Sequence, residues 1–389
     1  ALVGEGGRDY HAHRNTDGGE VRHSHVSVLS PYRRHRMVDE TEVLGQILDQ
    51  HSPNEAFKFV QEVFWRSYWK GWMEHHSLLW PSHQHQLPAC LEHIQASRRS
   101  FDDYQRAIAG ETPIAIFNEW CDELKRTGYL HNHARMWFAS IWVFTLRLPW
   151  ELGADFFVRH LIDGDPASNT LGWRWVAGLH TAGKSYLATP TNIRTCAEER
   201  LAGRSDQALG LNRLASTTFT VAERLPAKAL QRTEIPWPAP AEKGFSKYRC
   251  NHGRTTMLVT EEDITWLPSA APEGVVVLSP SPRSGLEASS GLVERFVTSA
   301  LDDARQRIAH HWAQAPVLTA PHTLGDEALV DWLVEHRMDE VLCAYLPVGP
   351  TRIRVEGLRE RLACKGISLR MQMRDYDRFV WPHASKGFF

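Results

Sequence analysis

The sequence predicts a mainly α N-terminal region followed by a C-terminal α/β domain built on a parallel sheet. Three observations carry this. Apolar residues recur at spacings of three and four through the first two hundred residues, with no convincing alternating strand. The stretch 203–245 then turns rich in Pro, Ala and small polar residues. Beyond about 270, short β-branched runs alternate with helical segments, as βαβ units require. A chain of 389 residues has room for two or three domains. The boundaries read as 1–205 for the helical region, 206–270 for a connector and 271–389 for the α/β part.

Taken in order, 1–36 is a polar arm rich in His, Arg and Gly, entering a helix after Ser27-Val28-Leu29-Ser30-Pro31-Tyr32 and the basic run Arg33, Arg34, His35, Arg36. From Glu40 to Glu74 the periodicity gives two helices broken at Ser52-Pro53-Asn54. Helical periodicity also covers 100–126, 131–148 and 151–162. The connector carries Leu225-Pro226-Ala227 and Pro236-Trp237-Pro238-Ala239-Pro240. After it, Gly274–Leu278, Pro316–Leu318, Glu340–Tyr345 and Ile367–Met371 read as strands. The helices between them are Leu292–His310, Glu327–His336 and Arg352–Cys364.

Composition excludes several classes. With 44 Lys and Arg against 46 Asp and Glu, any contact with nucleic acid needs a local patch, not overall basicity. A hydrophobic fraction of 42% argues against disorder. The six cysteines (Cys90, Cys121, Cys196, Cys250, Cys343, Cys364) form no CxxC pair, so they read as buried free thiols of a reducing compartment. Without a run of eighteen apolar residues or a signal-like segment, a soluble, cytoplasmic, monomeric protein with no membrane contact is expected. His pairs such as His23/His25, His83/His85 and His131/His133 raise the question of metal, but without flanking Cys or a HExxH pattern none is expected. Phosphate loops of the P-loop or GxGxxG kind are absent from the sequence. Ten of the fifteen tryptophans precede residue 176, which suggests aromatic clusters, a stacking site or a route for electrons.

The densest motif is Leu161-Ile162-Asp163-Gly164-Asp165-Pro166-Ala167-Ser168-Asn169, followed by Gly172-Trp173-Arg174-Trp175. Alone it fits either an acidic helix-capping turn beside a Trp-rich core or a holder for a polar, planar ligand. Upstream stand Thr127-Gly128-Tyr129-Leu130-His131-Asn132-His133-Ala134-Arg135-Met136, Glu62 with Phe64-Trp65-Arg66, and the Ser27–Tyr32 loop. In this order and spacing, over about residues 10–200, the set resembles the FAD-binding helical domain of the DNA photolyase and cryptochrome family.

The resemblance implies FAD as cofactor and ultraviolet-damaged DNA as partner. Tyr10, Ser27, Leu29 and Ser30 would hold the FAD phosphates, Asp163 and Asp165 the ribose and the flavin edge, with Arg135 pairing Asp163 and with Arg66 and Asn132 in the pocket. Asn169 would face flavin N5, where a neutral amide is no ready proton donor; this favours a photolyase over a plant-type cryptochrome. Glu62, Trp65, Asn132, Met136 and Trp175 match the catalytic, lesion-facing set of cyclobutane pyrimidine dimer photolyases. The (6-4) enzymes are disfavoured, because they carry His where Asn132 and Met136 stand. Trp173 and Trp150 match two members of an electron-transfer chain whose third has no counterpart; Tyr104, Trp120, Trp137 or Trp142 remain open as substitutes. DNA phosphates would meet Arg33, Arg34, Arg36, Lys184 and His133, the last replacing an Arg. The reading is a dimer-splitting DNA photolyase, with a cryptochrome-like photoreceptor or (6-4) repair as alternatives. The α/β pattern follows the FAD domain instead of preceding it, which suggests a rearranged member. Whether its sheet carries a second antenna chromophore stays open.

Overall fold

Capping chemistry fixes where the helices begin. The structure, a computed structural model, describes residues 6–19, 26–181, 183–235, 237, 253–314 and 317–386. Cys250, His23/His25, Pro236, Pro238–Pro240 and Pro316, singled out above, lie outside them. The arm contains α1 (Arg8–His13) and α2 (Ser30–Arg34). Helix α3 (Glu40–Gln50) starts on Asp39, whose carboxylate accepts from Glu42 N. Helix α4 (Pro53–His75) starts on Ser52, which forms a reciprocal capping box with Glu55, and has Pro53 in its first turn. The predicted break at 52–54 is thus a cap.

Next come α5 (Leu79–Gln95), α6 (Arg98–Ala109), α7 (Ala115–Thr127), α8 (Asn132–Ser140), α9 (Trp150–His160), α10 (Pro166–Val176) and α11 (Pro190–Cys196). The periodic stretch 100–126 is two helices, separated by a turn containing Pro113. The stretch 131–148 leaves α-geometry at a π-turn, Ile141–Thr145, before Pro149. At their centre Phe117, Trp120, Trp137, Phe138 and Trp142 are completely buried, so the early tryptophans are first of all a packed aromatic core.

The C-terminal part is a sheet of five parallel strands among the described residues, in the order β3-β2-β1-β4-β5. The strands are β1 (Thr255–Val259), β2 (Gly274–Val277), β3 (Leu318–Thr319), β4 (Glu340–Ala344) and β5 (Ser368–Gln372). Leu258 pairs with Val276 on one side and Cys343 on the other. Helix α12 (Gly291–His311) covers one face through Val297 and Leu301. Helices α13 (Asp326–Glu335) and α14 (Pro350–Ala363) cover the other through Leu333 and Val355. A short α15 (Asp375–Val380) follows β5.

The connector 206–270 needs correction. Leu209 and Leu211 are buried in the helical core, and Leu225 and Ala229 pack with Met73, Leu79 and Trp80. Strand β1 also falls inside it, as the central strand. All five of its residues are buried, so it lacks the polar alternation that marks a half-exposed strand.

The two parts meet closely. A Cβ on Gly71 of α4 would stand 2.8 Å from Trp381 Cα, so only glycine admits this approach. Arg36, predicted to meet DNA, is buried here with its Nη2 2.6 Å from Asp377. Cys90, Cys121 and Cys343 are buried and free, whereas Cys196 is half-buried and Cys364 exposed. No helix of the described residues is long and apolar enough to cross a membrane.

Candidate functional site

Helical spacing gathers the site. On α4, Glu62, Trp65, Arg66 and Trp69 lie at i, i+3, i+4 and i+7, one face of the helix. On α10, Asp165 is the N-cap, accepting from Ser168 N at 2.8 Å, and Ser168, Asn169, Gly172, Trp173 and Val176 continue one stripe. A Cβ on Gly172 would meet nothing within 4 Å, so the stripe opens onto free space there. These faces, the 26–30 loop, α1 and the start of α8 enclose a cavity of about 630 Å³, within the range of small-molecule and cofactor sites.

Every residue predicted to bind the cofactor lines this cavity: Tyr10, Ser27, Leu29, Ser30, Arg66, Asn132, Arg135, Asp163, Asp165 and Asn169. So do Glu62, Trp65, Met136, Trp173 and Trp175. Sequence reasoning passed over Arg14, Trp69, Tyr129 and Ser168, which also line it. The i+4 step from Trp65 and the i+3 step from Asp165 were available signals for two of them.

One wall is charged. Asp163 Oδ2 lies 3.0 Å from Arg135 and 4.0 Å from Arg66. Burial opposes its ionisation, but these arginines hold its carboxyl below the ordinary value. Asp165 is likewise held well down against its burial, by Lys70 at 3.5 Å and by Arg34. On this wall Arg66 Nη1 and Ser168 Oγ are buried without a hydrogen-bond partner, as a site for a polar ligand would leave them. Val28 has φ +49°, rare for a β-branched residue, where the loop turns along the pocket.

The other wall is aromatic and backed by further aromatics. Trp65 stacks on Trp69 at 5.4 Å, and Trp175 on Tyr186 at 5.8 Å. Glu62 is raised above its ordinary value by burial, with Arg14, 3.5 Å away, only partly opposing. Asn169 is pinned by donating from Nδ2 to Ala154 O at 2.8 Å.

Other predicted residues stand elsewhere. Arg34 is 1% exposed and bidentate to Glu262, so it cannot meet DNA phosphate. Arg33 is turned inward, donating to Val63 O and facing Glu40 at 3.6 Å. His133 is half-buried, 3.2 Å from Tyr186 OH, with its imidazole pushed down by burial. Lys184 is exposed. Trp150 is buried and stacks on His83 at 5.1 Å. Of the open substitutes, Trp142 meets Trp173 edge to face at 6.1 Å and Tyr104 meets Trp142 at 6.0 Å, whereas Trp120 and Trp137 stack on each other. Among the described residues no group of three His, Cys, Asp or Glu is placed to hold a metal.

Residues 59–200 match the family described as the FAD binding domain of DNA photolyase. Deoxyribodipyrimidine photo-lyase of Vibrio cholerae is 26% identical over 184 residues, 46% of this chain and 38% of its own length. That of Alkalihalophilus pseudofirmus is 31% identical over 169 residues, 41% of this chain and 33% of its own. Cryptochrome DASH of Idiomarina loihiensis is 40% identical over 76 residues, 20% of this chain and 17% of its own. The chain therefore spans well under half the length of these curated relatives.

Proposed function

From the premise that residues 59–200 are an FAD-binding domain of the photolyase and cryptochrome family, we propose that this chain is a light-driven DNA-repair flavoprotein that splits cyclobutane pyrimidine dimers. The observation that carries the reading is that Glu62, Trp65, Met136 and Trp175 share one cavity with the charged wall of Arg66, Arg135, Asp163 and Asp165. Bound, reduced FAD would supply a light-absorbing one-electron donor. Tyr10, Ser27, Leu29 and Ser30 would hold its phosphates, and Arg66 Nη1 and Ser168 Oγ would find their missing partners on it. Trp65 and Trp175 would stack on a base turned out of the helix, each kept upright by the ring behind it. Glu62, made easier to protonate by burial, would donate a hydrogen bond to a pyrimidine carbonyl and exclude water from that side. Electrons for the flavin would pass through Trp173, with Trp150 or the Trp142–Tyr104 line behind it.

A second reading, a photoreceptor without repair, is favoured by one specific observation. Three arginines expected to grip DNA, Arg33, Arg34 and Arg36, face protein carboxylates instead. The test is a light-dependent repair assay on reduced protein with one cyclobutane-dimer and one (6-4) oligonucleotide. Dimer repair in light and none in darkness is expected. Photoreducible FAD with neither lesion repaired moves the conclusion to the photoreceptor. A sharper version uses Glu62: wild-type repair should fall as pH rises and Glu62 ionises, whereas Glu62→Gln should be about tenfold slower and flat with pH. Wild-type repair that is flat with pH removes Glu62 as the donor.

A further inference from the structure

Open parallel sheets take their ligands at the carboxyl ends of the strands, where the strand order reverses. In the order β3-β2-β1-β4-β5 that point lies between β1 and β4. Here side chains from both parts of the chain stand at it and bond to one another. The turn leaving β1 carries Glu261 and Glu262, both nearly fully buried. Glu262 holds Arg34 in a bidentate pair at 2.6 and 2.7 Å. Thr351, at the start of α14, closes over both carboxylates with its Oγ1 3.4 Å from each. On the β4 side, Glu74 of α4 accepts from Val348 N at 2.7 Å and from Tyr345 OH at 2.8 Å.

The two glutamates of the β1 turn lead straight to the pocket. Arg34 Nε donates to Gly164 O at 3.2 Å. Arg283, facing Glu261 at 3.9 Å, donates to Leu161 O at 2.8 Å. Two buried arginines, one from each part of the chain, thus grip the carbonyls of the 161–165 turn, which carries Asp163 and caps α10 with Asp165. A buried arginine stays where its carboxylate holds it, because loss of the partner strands the charge.

We propose that Glu261 and Glu262 are positioning residues for the Asp163–Asp165 turn, so that the sheet acts as a clamp on the cofactor pocket and not as the holder of a second chromophore at its switch point. This rests on the FAD reading only for its ligand. Arg34 and Arg283 orient the turn whether or not anything is bound.

The experiment compares the full chain with Glu262→Gln and with Glu74→Gln, the second serving as a control. Glu74 joins the same two parts but touches no carbonyl of the turn. FAD titration should show Kd raised at least about tenfold in Glu262→Gln. In Glu74→Gln, Kd should stay within about twofold of wild type while the thermal midpoint falls. Hydrogen exchange over 161–168, measured without FAD, should quicken in Glu262→Gln and stay unchanged in Glu74→Gln. Where Glu262→Gln does not fold, the double variant Arg34→Met, Glu262→Met leaves no buried charge stranded by that pair and should show the same rise in Kd. Equal Kd and exchange in wild type and Glu262→Gln would overturn the proposal, and so would equal changes in both single variants. So would a second chromophore released by Glu262→Gln. Wild type that binds no FAD, with exchange still faster in Glu262→Gln, would sink the cofactor reading and leave the clamp standing.

Discussion

The core of the helical part and its seam with the sheet are both buried, yet they are held by different physics. In the core, Phe117 stacks on Phe138 at 4.1 Å and Trp120 on Trp137 at 5.5 Å, and cohesion comes from many small contacts. At the seam, Arg34 with Glu262 and Arg36 with Asp377 are buried ion pairs whose worth depends on both partners being present. A core of the first kind loses stability in proportion to what is removed. A seam of the second kind fails abruptly, and the cofactor-side turn hangs on it.

The largest expected effect breaks the seam. Arg34→Ala leaves Glu262 buried without its cation and Asp165 with Lys70 alone, and should cost about 3–5 kcal/mol in denaturant unfolding. Replacing both members of the Arg34–Glu262 pair by Met should cost much less than the sum of the single changes. Additive losses would show that the two regions do not differ in kind.

Acid should separate the regions next. Burial pushes His83 down from 6.5 to about 3, and His160 and His180 to about 4. The unfolded chain takes up these protons first, so stability is full above about pH 7 and is lost as pH falls through 6.5. For His83 this amounts to about 2 kcal/mol by pH 5. The seam carboxylate Glu262 is held below its ordinary value, so its contribution is present above about pH 4.5 and is lost only further down. Thermal midpoints from pH 8 to 3 should therefore fall in two stages, and His83→Phe should make the first shallower, with His160 and His180 still contributing, and leave the second unchanged. A single stage below pH 4.5 would remove the histidines from the account. The smallest effect tests the core: Ile116→Val should cost about 0.5–1.5 kcal/mol and leave FAD affinity unchanged. A tenfold loss of affinity there would join the core to the pocket.

Much of the pocket was legible because helical periodicity is local. Glu62, Trp65 and Arg66 occupy one face of α4 whatever surrounds it, and Asp165 caps α10 through its neighbour three residues on. What stayed hidden depended on distance along the chain. The sequence shows that Arg33, Arg34 and Arg36 are cationic, but not that Glu262 waits 228 positions away or that Asp377 ends the search for Arg36. Strand β1 was missed because Thr255-Thr256-Met257-Leu258-Val259 shows neither the alternation of a half-exposed strand nor the unbroken valine run that marks the equally buried β2. The sequence left Tyr104, Trp120, Trp137 and Trp142 open behind Trp173; the line from Trp173 through Trp142 to Tyr104 needed the structure, since ring contacts between helices leave no spacing signal.

The central claim is that the charged wall of the cavity holds a single FAD, the aromatic wall being left to the damaged base. Titrating FAD into the 389-residue chain, followed by flavin fluorescence, tests it most directly. One FAD per chain should bind saturably, and Arg66→Ala should weaken binding at least about tenfold while the aromatic-wall variant Trp175→Phe leaves it nearly unchanged. No saturable binding, or binding indifferent to Arg66, would contradict the claim.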